Sequence, residues 1–179
     1  MIRCQSVRNL NVLDDQRLIF NMGSQLMTVD RLGNVAQINT DPRSEIMAII
    51  PDNRRLIVVH ENGVIVTRDR STLETQNEDA RGARLVAVGV LPWLGSIRLL
   101  LAGEDGPIQC VGFDDPLVTQ YASMHRSVRA VTGAADLVAA VSADRQRLIL
   151  WNSWDGRKPA ADVSISSIAK HRIADVDFG

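Results

Sequence analysis

The sequence is short of the residues that specialised chemistry recruits. Its 179 residues include 2 cysteines, 3 histidines and only 4 % aromatics. Cys4 and Cys110 fit reduced, inert thiols better than a disulfide framework, although a single bridge between them stays open. No CxxC occurs, so neither a zinc finger nor a thioredoxin-type redox centre is indicated. His60, His125 and His171 fall in no HExxH or HxH spacing, and no metal is expected. Phosphate-cradling GxGxxG and GxxxxGK[ST] loops are missing, as is a nucleophile-elbow serine, so no cofactor and no catalytic residue is expected. Nor does any run approach the roughly 18 apolar residues of a membrane span. The start "MIRCQSVRNLNV" lacks a signal peptide's long apolar centre, so a cytoplasmic protein without a membrane partner is expected. With 20 basic and 21 acidic residues and a net charge of -1, bulk attraction to nucleic acid is missing too. The acidic pairs Asp14–Asp15, Glu104–Asp105 and Asp114–Asp115 sit at turn positions, where carboxylates are common, rather than in an acid–base or calcium arrangement.

What is present is apolar material, 45 % of the chain, enough for a sizeable core, and it is arranged as a repeat. The segments "QRLIFNMGSQ", "RRLIVVHENG", "IRLLLAGEDG" and "DLVAAVSADR" each place an apolar run between polar residues and a turn. Their leading leucines, Leu18, Leu56, Leu99 and Leu137, recur at about 40 residues, the period of a four-stranded propeller blade. A second apolar strand follows each turn, as in "VIVTRDR" and "RLILWNS", and completes a hairpin. Another β-prone run precedes each hairpin and a more polar one follows it. The runs are short, rich in β-branched residues and bounded by Gly, Asn, Asp or Pro, which favours strand over helix.

The expected fold is therefore all-β, a β-propeller of four-stranded antiparallel blades near 6–43, 44–83, 84–125 and 126–170, plus an extra strand at 173–178. A two-sheet sandwich is the runner-up and does not explain the shared period. Propellers run from about four to eight blades, so four either close a small ring by themselves, with the strand at 173–178 packed outside it or crossing to another molecule, or form an open part-ring that exposes two apolar end faces. The chain is expected to complete its ring with another chain, either a second copy or a different subunit.

The stretch "MHRSVRAVTGAADLVAAVSADRQRLILWN" resembles a WD-repeat blade, with His125 ahead of the innermost strand, Ser142 in the second, Asp144 in the hairpin and Trp151 ending the third. The resemblance implies a hydrogen-bonded chain from Trp to Ser to His to Asp, in which these four residues are structural. The first three copies are degenerate, with Asp30, Arg68 or Asp69, and Gly112 or Phe113 near the tryptophan's place.

Candidate contact residues remain. All but two of the 20 basic residues are arginines. That excess is read first as a compositional bias. Its functional reading places Arg54, Arg55, Arg68, Arg70, Arg126 and Arg129 on loops suited to protein or phosphate contacts. "DRSTLETQNEDARGAR", Asp69 to Arg84, is the longest polar connection and reads as a protruding loop. Trp93, in "LPWLG", and Trp154 are rim packing or, if exposed, contact hot spots. The function expected is a non-enzymatic propeller scaffold for protein–protein interaction, a subunit of a larger assembly. The alternatives are a propeller enzyme or small-ligand binder with a site near the central channel, and an arginine-mediated nucleic-acid surface.

Overall fold

The structure, a computed structural model, describes residues 6–40, 44–104, 106–113, 118–122 and 128–164. Among them the regular structure is strand throughout, arranged as four antiparallel sheets of four strands, each joined in simple chain order. No helix long and apolar enough to cross a membrane occurs among the described residues. The chain forms two compact units, Met1–Arg84 and Leu85–Gly179.

In the first unit, one sheet comprises β1 (Val7–Val12), β2 (Leu18–Met22), β3 (Gln25–Val29) and β4 (Val35–Ile38). The other comprises β5 (Ile46–Asp52), β6 (Arg55–His60), β7 (Val64–Asp69) and β8 (Thr75–Ala80). Alternation along β2 and β3 sends Ile19 and Leu26 to one face, where they join Leu56, Val58 and Val66 of the second sheet in a buried core. The join is partly polar. The amide of Asn9, at φ 50° in a bulge of β1, donates to the Met47 carbonyl at 3.2 Å. Asn11 donates to the Ile49 carbonyl at 3.0 Å, and buried Asn21 to the Ile46 carbonyl at 3.1 Å. These amides occupy backbone carbonyls that face the neighbouring sheet rather than a ladder partner.

The polar stretch expected to protrude after Asp69 instead contains β8, paired with β7 from Val64↔Ala80 to Arg68↔Thr75. Its sequence TQNEDA is almost wholly exposed, as suits an outermost strand whose charges discourage pairing with other chains. Asp69 holds the turn that starts it, accepting hydrogen bonds from the Ser71 hydroxyl and the Ser71 and Thr72 N–H groups at 2.6–2.9 Å.

In the second unit, one sheet comprises β9 (Leu85–Trp93), β10 (Ser96–Gly103), β11 (Ile108–Val111) and β12 (Val118–Tyr121). The other comprises β13 (Val128–Ala134), β14 (Leu137–Ser142), β15 (Arg147–Asn152) and β16 (Ala161–Ser164). Leu91, Leu100 and Tyr121 pack on Val131, Val138 and Trp151 in its core. Here the innermost strands touch through glycine: a Cβ on Gly89 of β9 would lie 2.1 Å from the Val131 carbonyl oxygen of β13. The turn after β15 is tied to the end of β12, since Tyr121 OH donates to the Ser153 carbonyl at 2.5 Å and the Ala122 N–H to the Gly156 carbonyl at 2.7 Å. The extra strand expected at 173–178 lies outside the described residues, as do Cys4 and His171.

Candidate interaction surface

Strand register assigns the outer face of the first sheet residue by residue. Three rows run across it: Val7–Met22–Gln25, Phe20–Met27–Gln37 and Val12–Leu18–Val29–Val35. Eight of these ten side chains are apolar and none is charged. On the opposite face Ile19, Asn21, Leu26 and Thr28 are buried, whereas none of the ten outer residues is, and Val7, Val12, Leu18 and Val35 stand exposed. An antiparallel sheet with one wet face ordinarily alternates apolar-in with polar-out. This sheet departs from that pattern: its outer face carries eight apolar side chains of ten, while its inner face mixes Ile19 and Leu26 with Asn21 and Thr28.

The residues singled out from the sequence fall in different places. Arg68 is not on a loop; it lies in β7, 7 % exposed, and donates to the carbonyls of Leu73 at 2.9 Å and Asn39 at 2.5 Å. Burial pulls its pKa below the ordinary guanidinium value. Arg70 likewise serves the fold, with an ion pair to Asp14 at 2.8 Å and a bond to the Asn53 carbonyl at 3.3 Å. Both side chains tie loops of the first unit together and offer little to a ligand. Arg126 and His125 lie outside the described residues.

In the second unit, Trp93 is half-buried, with the Arg98 guanidinium 4.3 Å above its ring. With Leu94, Ser96, Ile97, Gly112 and Phe113 these two line a cavity of about 220 Å³, smaller than the about 300–1,000 Å³ of most small-molecule sites. Leu94 and Gly95, at φ 45° and 80°, make the two-residue turn between β9 and β10, and Leu94 projects from it 94 % exposed. Trp154 is 63 % exposed, because the Ser153 bonds to Asp136 and Ala135 anchor the turn one residue earlier. Cys110 is buried next to this region, and burial pushes its thiol pKa up, which suits the inert thiol expected.

Within the fourth sheet, Ser142 Oγ donates to Asp144 Oδ1 at 2.5 Å and holds the hairpin turn. The link from Trp151 to Ser142 that the WD resemblance implied is not formed. Trp151 pairs with Val138, four residues from Ser142 on β14, a distance of about 13 Å at 3.3 Å per residue. The intervening inward position is Ala140, which has no side-chain acceptor. Trp151 Nε1 is buried without a hydrogen-bond partner, and the ring instead stacks at 59° on Tyr121, centroids 6.0 Å apart. Asn9, Asn11 and Asn21 carry the polar join of the first unit and went unmarked in the sequence, where nothing but the alternate spacing of Asn9 and Asn11 in "NLN" hints at a shared face. Among the described residues no group of three or more His, Cys, Asp or Glu is placed to hold a metal ion.

No protein-family model and no curated protein matches the sequence. The fold does match solved structures. A chain of the mitotic checkpoint complex aligns with TM-score 0.68 and 13 % identity over 91 % of this chain and 51 % of that one. BBS1N, crystallised in complex with ARL6DN, aligns with TM-score 0.68 and 12 % identity over 90 % of this chain and 55 % of that one. Virginiamycin B lyase from Staphylococcus aureus aligns with TM-score 0.70 and 11 % identity over 92 % of this chain and 57 % of that one. The chain thus spans about half the length of these proteins. The likeness establishes an all-β fold of the β-propeller type.

Proposed function

We propose that this chain is a non-enzymatic, WD-like β-propeller module that binds another protein through the outer face of its first sheet, as part of a larger assembly. The observation that carries the reading is that face: eight apolar side chains in three registered rows, no charge among them, and none buried. Burial of apolar surface contributes about 25 cal/mol per Å², so leaving such a face in water is costly and covering it is favourable. Two of the structural neighbours come from protein complexes, which accords with the reading. The third is a lyase, so the fold by itself decides nothing about chemistry.

A photo-crosslinking side chain placed at Leu18, with Gln76 on the polar β8 as control, tests the proposal in cells. Protein adducts from position 18 and none from position 76 are expected. No adduct from either, combined with a melting temperature raised by a metal ion or a small carboxylic acid, would move the function to a ligand site.

A further inference from the structure

The first sheet is open along one edge as well as over one face. β4 ends the sheet and pairs with β3 alone, from Val29↔Val35 to Leu26↔Ile38. Which of its main-chain groups point outward follows from the ladder. The Asp30 N–H donates to the Asn34 carbonyl at 3.1 Å, and bonded and non-bonded pairs alternate in an antiparallel ladder. Thr28↔Ala36 and Leu26↔Ile38 are therefore bonded pairs, and the N–H and C=O groups of Val35 and Gln37 face away from β3. Among the described residues nothing bonds to them. Both ends of the strand are fixed, since Asp30 accepts from the Leu32 and Asn34 N–H groups at 2.8 and 2.9 Å and Arg68 reaches the Asn39 carbonyl just past Ile38.

The other three outermost strands are guarded, each by its own device. β8 carries Glu78 and Asp79, the latter paired with Arg81 at 2.6 Å. β16 carries Asp162, paired with Arg147. β12 is uncharged, but the turn after β15 lies against it: a Cβ on Gly156 would sit 2.3 Å from the Gln120 carbonyl oxygen, and the Ala122 N–H donates to the Gly156 carbonyl. Charge and cover are the ordinary means of preventing strand addition at an edge. β4, "VAQI", has neither, and Val35, Ala36 and Gln37 are all exposed.

We infer that β4 accepts an extended segment of a different protein as a fifth strand; this rests on reading the first sheet as the binding sheet. The segment is recognised by its main chain, which presents a donor and an acceptor at every second residue to match Val35 and Gln37. Its side chains are specified by what they adjoin. The row Val12–Leu18–Val29–Val35 ends at the edge, so an apolar β-branched residue beside Val35 extends it. The residue beside Gln37 is polar and uncharged, because β4 offers no charge to pair with one. A second copy fits less well. Two β4 strands paired antiparallel about Ala36 end each apolar row on the other copy's Gln37, and they leave the two outer faces side by side in one sheet, where neither can cover the other.

Photo-crosslinking from Leu18 in cells, repeated in edge variants, tests the inference. Gln37→Pro removes an outward N–H and blocks the edge, while the bonds of Ala36 and Ile38 to β3 stay in place. Gln37→Thr keeps the main chain whole. Adduct yield is expected to fall about tenfold or more in Gln37→Pro, as for the loss of one or two hydrogen bonds, and to stay within about twofold in Gln37→Thr. Should Gln37→Pro fail to fold, Ala36→Lys replaces it with the same expected loss, since it charges the edge and not the outer face.

A folded Gln37→Pro that crosslinks like wild type overturns strand addition and leaves the outer face standing as an interface. No adduct even from wild type overturns both. Equal loss in Gln37→Pro and Gln37→Thr assigns recognition to the Gln37 side chain instead of the main chain, and this overturns the inference. An adduct of about 40 kDa made of two copies, twice the 19.7 kDa of one chain, overturns the different protein.

Discussion

Trp151 shows how a single indole can serve packing without its polar atom. The ring is fully buried between Tyr121 and the apolar floor of the second unit, yet its N–H finds no acceptor. Trp151→Ala is expected to cost about 3–5 kcal/mol by opening a cavity. Trp151→Phe is expected to cost on the order of 1 kcal/mol, since the orphaned donor leaves with the ring. Urea unfolding distinguishes the two, and equal losses would mean that the indole N–H is satisfied. Asn21 is the opposite case: 1 % exposed, it donates to Ile46 and accepts from Asn9, so Asn21→Ala is expected to cost about 1–3 kcal/mol in the same measurement. At Asp69, the Ser71 hydroxyl first, then the Thr72 and Ser71 N–H groups, hold the carboxyl down to about 2. A depressed folded pKa adds stability above the unfolded value of 3.8, lost as pH falls through the folded one. The melting-temperature gap between wild type and Asp69→Asn is therefore expected to be constant above pH 3.8 and to close as pH drops toward about 2.

Strands with both faces buried were legible because they are uninterrupted apolar runs, and β6 "RLIVVH" and β14 "LVAAVS" are the clearest. β8 was not, since TQNEDA carries no periodicity and is fixed by pairing to β7 rather than by burial. The turn residues were half legible: "ENG" announces Gly63 at φ 82°, but Leu94 at φ 45° violates the preference that makes turns readable. The candidate surface could be named only once register was known, because a sequence shows that β2 alternates and not which face finds a partner. Close approach of β9 and β13 was equally hidden, as Gly89 inside a strand looks like a weak point. Gly89→Ala is expected to cost about 1–3 kcal/mol by driving a methyl into the Val131 carbonyl. Gly95→Ala, whose Cβ meets nothing within 4 Å, serves as the comparison for backbone strain without a clash.

For the molecule as a whole, the two kinds of joint between innermost strands bear on ancestry. Repeat arrays lengthen and shorten when recombination exchanges one copy for another, which requires that copies be interchangeable. Here they are not: neither β1 "VRNLNV" nor β5 "IMAIIPD" contains a glycine to sit against Val131, and β9 "LVAVGVLPW" contains no amide to reach Met47 or Ile49. A hybrid with an exchanged innermost strand would inherit a clash at one joint or unbonded carbonyls at the other. Divergence at these few positions thus acts as a ratchet, freezing the order of the repeats while their solvent-facing residues stay free to drift.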